Sequence, residues 1–171
     1  MDYKQTLIKM IDRFNLQSVE ELKEIELKLI SDSKSIFKKN KDYDGRIETL
    51  RKIKKEAQKI DPRSVKIPED DESTRKLKDA FQRCILTLTG ICDSYIQFET
   101  ALKNKAEGSK IKFGDVKQIN GEVREAKTKL NEQLNELNVM YADYNDLERA
   151  VEDEDFGGVK YMTYESIQGE R

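Results

Sequence analysis

The chain has 171 residues, no histidine and no tryptophan, and its 32 basic and 34 acidic side chains leave a net charge of −2. Charged residues make up 39% and hydrophobic ones 36%, against roughly 25% and 45–50% in ordinary soluble domains, which argues against a large dry core and for elongated helices with one apolar stripe each. Without imidazole there is no Ser–His or Cys–His nucleophile pair and no His-ligated metal site, and a near-balanced charge by itself points to neither nucleic acid nor membrane.

Residues 3–14 place Leu7, Ile8, Ile11 and Phe14 on one face, which predicts a short opening helix. The stretch Asn15 to Ser18 reads as a break. Ser18 followed by Glu21 has the spacing of a capping box, so a second helix is predicted from about Val19 to Lys39, with Leu22, Ile25, Leu29, Ile36 and Phe37 apolar. Asp42, Asp44 and Gly45 interrupt the pattern, which resumes at helical spacing with Ile47, Leu50, Ile53, Ala57 and Ile60. Asp61-Pro62 closes an N-terminal unit, 1–61. Residues 62–71 carry both prolines and read as a linker.

Residues 72–152 predict a long antiparallel helical hairpin. Leu77, Phe81, Cys84, Leu88, Ile91, Tyr95, Phe98 and Leu102 alternate steps of four and three, a heptad seam, and Ile85, Cys92 and Ile96 widen it beyond a two-stranded coil. Gly108, Ser109 and Gly114 mark a turn, with Asp115 placed to cap the returning helix. That helix carries Val116, Ile119, Val123, Ala126, Leu130, Leu134, Leu137, Tyr141, Tyr144, Leu147 and Val151, and the 4-4 step through Ala126, Leu130 and Leu134 is a stutter. A stripe this wide needs further faces to cover it, and the N-terminal helices are the expected cover. A second copy of the hairpin, making a homo-oligomer, is the alternative. The expected fold class is therefore all-α, an elongated three- to four-helix bundle with a short non-helical tail over 153–171.

Several motifs invite a chemical reading. Asn40, Asp42, Asp44, Gly45 and Ile47 resemble the start of an EF-hand loop, which would imply calcium. The closing position is Arg51, and Lys38, Lys39, Lys41 and Arg46 crowd the donors, so no metal is expected; Asp44-Gly45 is read instead as the end of one helix and the start of the next, with glycine supplying a positive φ. Cys84 and Cys92 stand eight apart on one helix, about 12 Å, too far to bridge, and read as small core residues. Tyr144 to Glu148 resembles the Tyr-x-x-x-acidic export signal of type VII secretion substrates. The same spacing recurs at Tyr95–Glu99 and Tyr161–Glu165, and the Trp-x-Gly turn of that family is missing, so membership is not assigned.

Charge layout and the tail carry the functional expectation. Residues 34–66 hold twelve Lys/Arg and five Asp/Glu, while 143–155 hold one basic and seven acidic residues. Arg51, Lys52, Lys55 and Lys59 share one helical face, opposite Ile47, Leu50, Ile53 and Ala57, and suit an acidic protein or a nucleic acid unless they are merely solvated or paired with the chain's own acidic end. Phe156, Tyr161, Tyr164 and Ile167 fall outside the helical pattern, fitting a segment that folds back or docks into a partner. No apolar run approaches the roughly 20 residues that span a bilayer, and no cleavable leader is visible. The reading is a non-catalytic, cytoplasmic interaction or assembly protein without cofactor, with a nucleic-acid accessory role on the 34–66 face as the alternative.

Overall fold

The structure is a computed structural model that describes residues 2–33, 42–108 and 113–152. Helix α1 (Tyr3–Arg13), a π-helical turn (Phe14–Val19) and α2 (Glu20–Ser33) run on without a break as one rod. Helix α3 (Tyr43–Lys59), a 3-10 turn (Pro62–Ser64), α4 (Glu72–Ala106) and α5 (Phe113–Glu152) follow, and there is no strand among the described residues. The fold is an all-α bundle of four rods built on the α4–α5 hairpin.

Directions follow from who meets whom. Arg83 pairs with Glu136 and the Thr74 hydroxyl reaches Tyr144 Oη, so α5 runs antiparallel to α4. Lys54 meets Asp93 and Lys103 meets Asp44, so α3 is antiparallel to α4 as well. The N-terminal rod runs parallel to α4, from Tyr3 beside Asp71 to Phe14 edge-on against Phe81, with ring centroids 5.4 Å apart. α4 has 35 residues, about 52 Å of helix at 1.5 Å per residue, and the other rods close around it. Leu7, Ile11, Phe14, Phe81, Leu88 and Leu137 have no exposed surface, and all belong to one apolar core.

Aspartates set the helix starts. Asp2 accepts from the Gln5 amide, Asp42 from Gly45 and Asp71 from Thr74, each satisfying a first-turn N–H that no helical carbonyl can reach. Within residues 62–71, Pro62 and Val65 are buried, and the Val65 carbonyl accepts from Lys78.

Four local expectations are corrected. Asn15 to Ser18 does not break the chain; Phe14, Asn15, Ser18, Val19 and Glu20 are all buried, and the wider π turn is what lets so many neighbours face inward. Ser18 therefore caps nothing. The start near Gly45 is set one turn earlier: Asp42 is the cap, Gly45 lies inside α3, and only Gly108 among the described residues has a positive φ, of 92°. A Cβ at 45 would meet the capping Asp42 carboxylate, so a larger residue there would push the cap aside. Asp115 stands in the first turn of α5 and not before it, placed to meet the helix dipole. The α4 seam, finally, changes character near its end. Tyr95 is buried, Phe98 and Leu102 are only half-buried, and Glu99 takes the inward position at 2% exposure.

The Phe14–Phe81 contact ties the N-terminal rod to α4 across the core, so Phe81→Ala is expected to lower the unfolding free energy by about 3–5 kcal/mol. Urea denaturation followed by circular dichroism measures it, and a loss below about 1 kcal/mol would mean the two rods are not packed together there.

Candidate interaction surface

Helix α3 is fixed to the bundle by its apolar face, where Ile47, Leu50, Ile53 and Ala57 are buried. Its flanks are held by ion pairs. Lys54 Nζ lies 2.7 Å from Asp93 Oδ1, and Arg46 lies 3.5 Å from Glu99 while also covering the Tyr43 ring. Toward the N-terminal rod, Glu56 takes Arg13 at 3.6 Å and Lys59 at 3.5 Å. What remains is the outward face. Arg51, Lys52, Lys55 and Lys59 are all exposed, as their shared face predicts, and Arg51, Lys52 and Lys55 have no carboxylate partner among the described residues.

Of the acidic stretch 143–155, only the side chains of Asp143 and Tyr144 are among those described. Tyr144 sits beside Thr74, and α5 continues from there away from Asp93, the residue that marks the height of Lys54. Thr74 and Asp93 are nineteen residues apart on α4, about 28 Å along the axis. Phe156, Tyr161, Tyr164 and Ile167 lie outside the described residues.

Other sites account for the remaining motifs. The EF-hand-like stretch is spent on structure: Asp42 caps α3, Asp44 Oδ1 takes Lys103 Nζ at 2.6 Å, and Tyr43 through Arg51 are helical. No group of three or more His, Cys, Asp or Glu among the described residues is placed to hold a metal ion. Cys84 and Cys92 are free and buried, and burial pushes each thiol up to about 12, far from a reactive thiolate. A cleft of about 600 Å³ opens between α2 and α3, lined by Ile25, Leu27, Lys28, Asp42, Arg46 and Thr49. Its guanidinium is already held by Glu99. No helix among the described residues is long and apolar enough to cross a membrane.

Charge also enters the interior, where periodicity alone gives no warning. Glu26, on the buried side of α2, takes Lys127 of α5 at 2.7 Å and the Tyr95 hydroxyl of α4, and burial first, then Glu26, raises the Tyr95 pKa. At the opposite end Tyr3 Oη donates to Asp71 Oδ2 at 2.7 Å, and the Thr74 hydroxyl lies 2.8 Å from the same oxygen. Partial burial pushes the Asp71 carboxyl up, but the hydrogen bonds from Tyr3, Thr74 and Ser73 outweigh it and hold the group at about 2. The Tyr3 phenol is raised to about 12 by the same bond. The signal for these residues was polar letters standing inside apolar stripes, as Glu99 does between Phe98 and Leu102.

No protein-family model, no curated protein and no solved structure matches this chain. The surface must be read from its own chemistry.

Two outcomes follow from the buried charges. Arg46→Met leaves the nearly enclosed Glu99 without its guanidinium and is expected to cost about 3 kcal/mol, with partial recovery in the Arg46→Met/Glu99→Gln double variant, read from denaturation midpoints. Because Asp71 is depressed in the folded state, its contribution is complete above about pH 4 and is lost as the pH falls through 2. Tyr3→Phe is expected to move the Asp71 titration, followed by carboxyl-carbon NMR, upward toward the ordinary 3.8. An unmoved titration would exclude the tyrosine as the cause.

Proposed function

We propose that this chain is a non-catalytic helical interaction or assembly module that presents the outward face of α3 to an acidic protein partner. The observation that carries the reading is the disposition of charge on that helix: Arg46, Lys54 and Lys59 have carboxylates of their own, whereas Arg51, Lys52 and Lys55 are exposed and have no carboxylate partner among the described residues. The backbone of α3 is held by its buried face, so aligning these side chains for a partner costs little ordering of the main chain. The composition of residues 153–171, with Phe156, Tyr161, Tyr164 and Ile167, supports a second docking element that adds apolar contact to the electrostatic one. A cytoplasmic setting agrees with two buried, unpaired cysteines.

One observation also favours nucleic acid. The cations recur at helical steps of three and four, a row of point charges suited to successive phosphates. Between Arg46 and Lys66 no aromatic residue interleaves with them, so bases would find no stacking platform and binding would be sequence-blind.

Fluorescence anisotropy with labelled poly-glutamate and with a random duplex DNA separates these readings. The full chain is expected to bind poly-glutamate at low salt, to weaken steeply with added salt, and to lose binding when Arg51, Lys52, Lys55 and Lys59 are changed to Gln. Preference for the duplex with the same salt dependence would transfer the face to nucleic acid. Absence of binding to either polyanion at low salt would remove both.

A further inference from the structure

The N-terminal rod and α5 meet through three polar pairs. Tyr141 Oη donates to Asp12 Oδ1 at 2.7 Å, Asn15 Nδ2 donates to Asn138 Oδ1 at 3.0 Å, and Lys127 Nζ lies 2.7 Å from Glu26 Oε2. Their spacing is reciprocal. Three residues from Asp12 to Asn15 match three from Tyr141 back to Asn138, and eleven from Asn15 to Glu26 match eleven from Asn138 back to Lys127. The pairs thus hold a single antiparallel register on both sides of the π turn.

This is a costly place for polar groups. Asn15 and Asn138 are each 2% exposed, and Glu26 is buried. The amide pair makes only one of its two reciprocal hydrogen bonds: Asn15 Oδ1 and Asn138 Nδ2 are buried without a hydrogen-bond partner among the described residues. Leucine at both positions would avoid that desolvation, so stability does not explain the asparagines.

We infer that the three pairs are a register lock, selecting one of several alignments that the apolar stripes tolerate. Asn131, Asn138 and Asn145 form one heptad column on α5. A slide of one heptad, about 10 Å, in either direction would still set Asn15 opposite an asparagine. The acids are what forbid it. Slid one way, Asp12 comes to Leu134; slid the other way, Glu26 comes to Leu134, and Leu134 is 1% exposed. Each shift drives a carboxylate onto a closed apolar position while stripping it of Tyr141 or Lys127, which is how a buried polar group selects register in a helical assembly.

The test is a distance between nitroxides on Lys9→Cys of the rod and Glu132→Cys of α5, both exposed positions. The native thiols at Cys84 and Cys92 are buried and do not compete for the label. Double electron–electron resonance on the full chain is expected to give one narrow distance. Adding Asp12→Leu and Glu26→Leu is expected to produce a second population, offset by about 10 Å along the axis. Asp12→Asn with Glu26→Gln, which removes the charges at nearly constant volume, serves as the second variant and decides the matter if the leucine variant loses helicity. A single unchanged distance in a folded variant overturns the lock, and so does a second population already present before the acids are replaced.

Discussion

Everything in this fold hangs on the closure of α4 against α5. Each helix alone is a stripe of leucine, isoleucine and aromatic side chains with water on all sides, and burying one such side chain is worth about 1.5–3 kcal/mol. Leu77, Phe81, Leu88 and Ile91 on one rod, and Leu130, Leu134 and Leu137 on the other, are all nearly or fully enclosed. The stripe is wider than two helices can cover, so α3 and the N-terminal rod are drawn onto it, and the charged majority of the chain is left on the outside. The outward cations of α3 are a consequence of that geometry: once Leu50, Ile53 and Ala57 are pinned inward, Arg51, Lys52 and Lys55 have no direction but out.

The bundle is not uniform along its length. Around the start of α4 the interior is aromatic and aliphatic, with Phe14 on Phe81 and the tyrosine hydroxyls of Tyr141 and Tyr144 turned to the rim to find Asp12 and Thr74. Toward the far end Glu26, Arg46 and Glu99 enter the interior, each ion-paired with a residue of another helix. Buried pairs of this kind add little net stability, because desolvation consumes most of the Coulomb gain. Their value lies in discrimination, since a misaligned helix leaves a charge in an apolar place. Apolar contact along the whole bundle supplies the binding energy of the helices, and the enclosed polar pairs, Asn15–Asn138 among them, restrict how they fit.

The outward row of cations on α3 was legible because a helical face needs only spacing. Once the apolar positions between Ile47 and Ala57 are recognised, the opposite face follows from 100° per residue. The enclosed charges were less legible. Glu99 stands one residue from Phe98, and the rotation of the packed helix decides which of the two turns inward, where Arg46 of α3 meets the glutamate. The stretch from Asn15 to Ser18 was misread for a related reason. Asparagine and serine compete with the helix in isolation, yet the partner Asn138 and the packing of Phe14 and Val19 keep the chain helical through a wider turn.

The amino-acid sequence alone determined the class of the fold, the α4–α5 hairpin, the inertness of the spaced cysteines and the exposed cationic face, since all of these depend on local periodicity and on distances along a single helix. The tertiary structure alone decided the register of the N-terminal rod against α5, the helical path through residues 14–19, the moved start of α3 and the pairing of the enclosed acids. Those depend on residues more than a hundred positions apart meeting in space, as Asn15 and Asn138 do, and such encounters are fixed by the packing of whole helices, not by the neighbours in the chain.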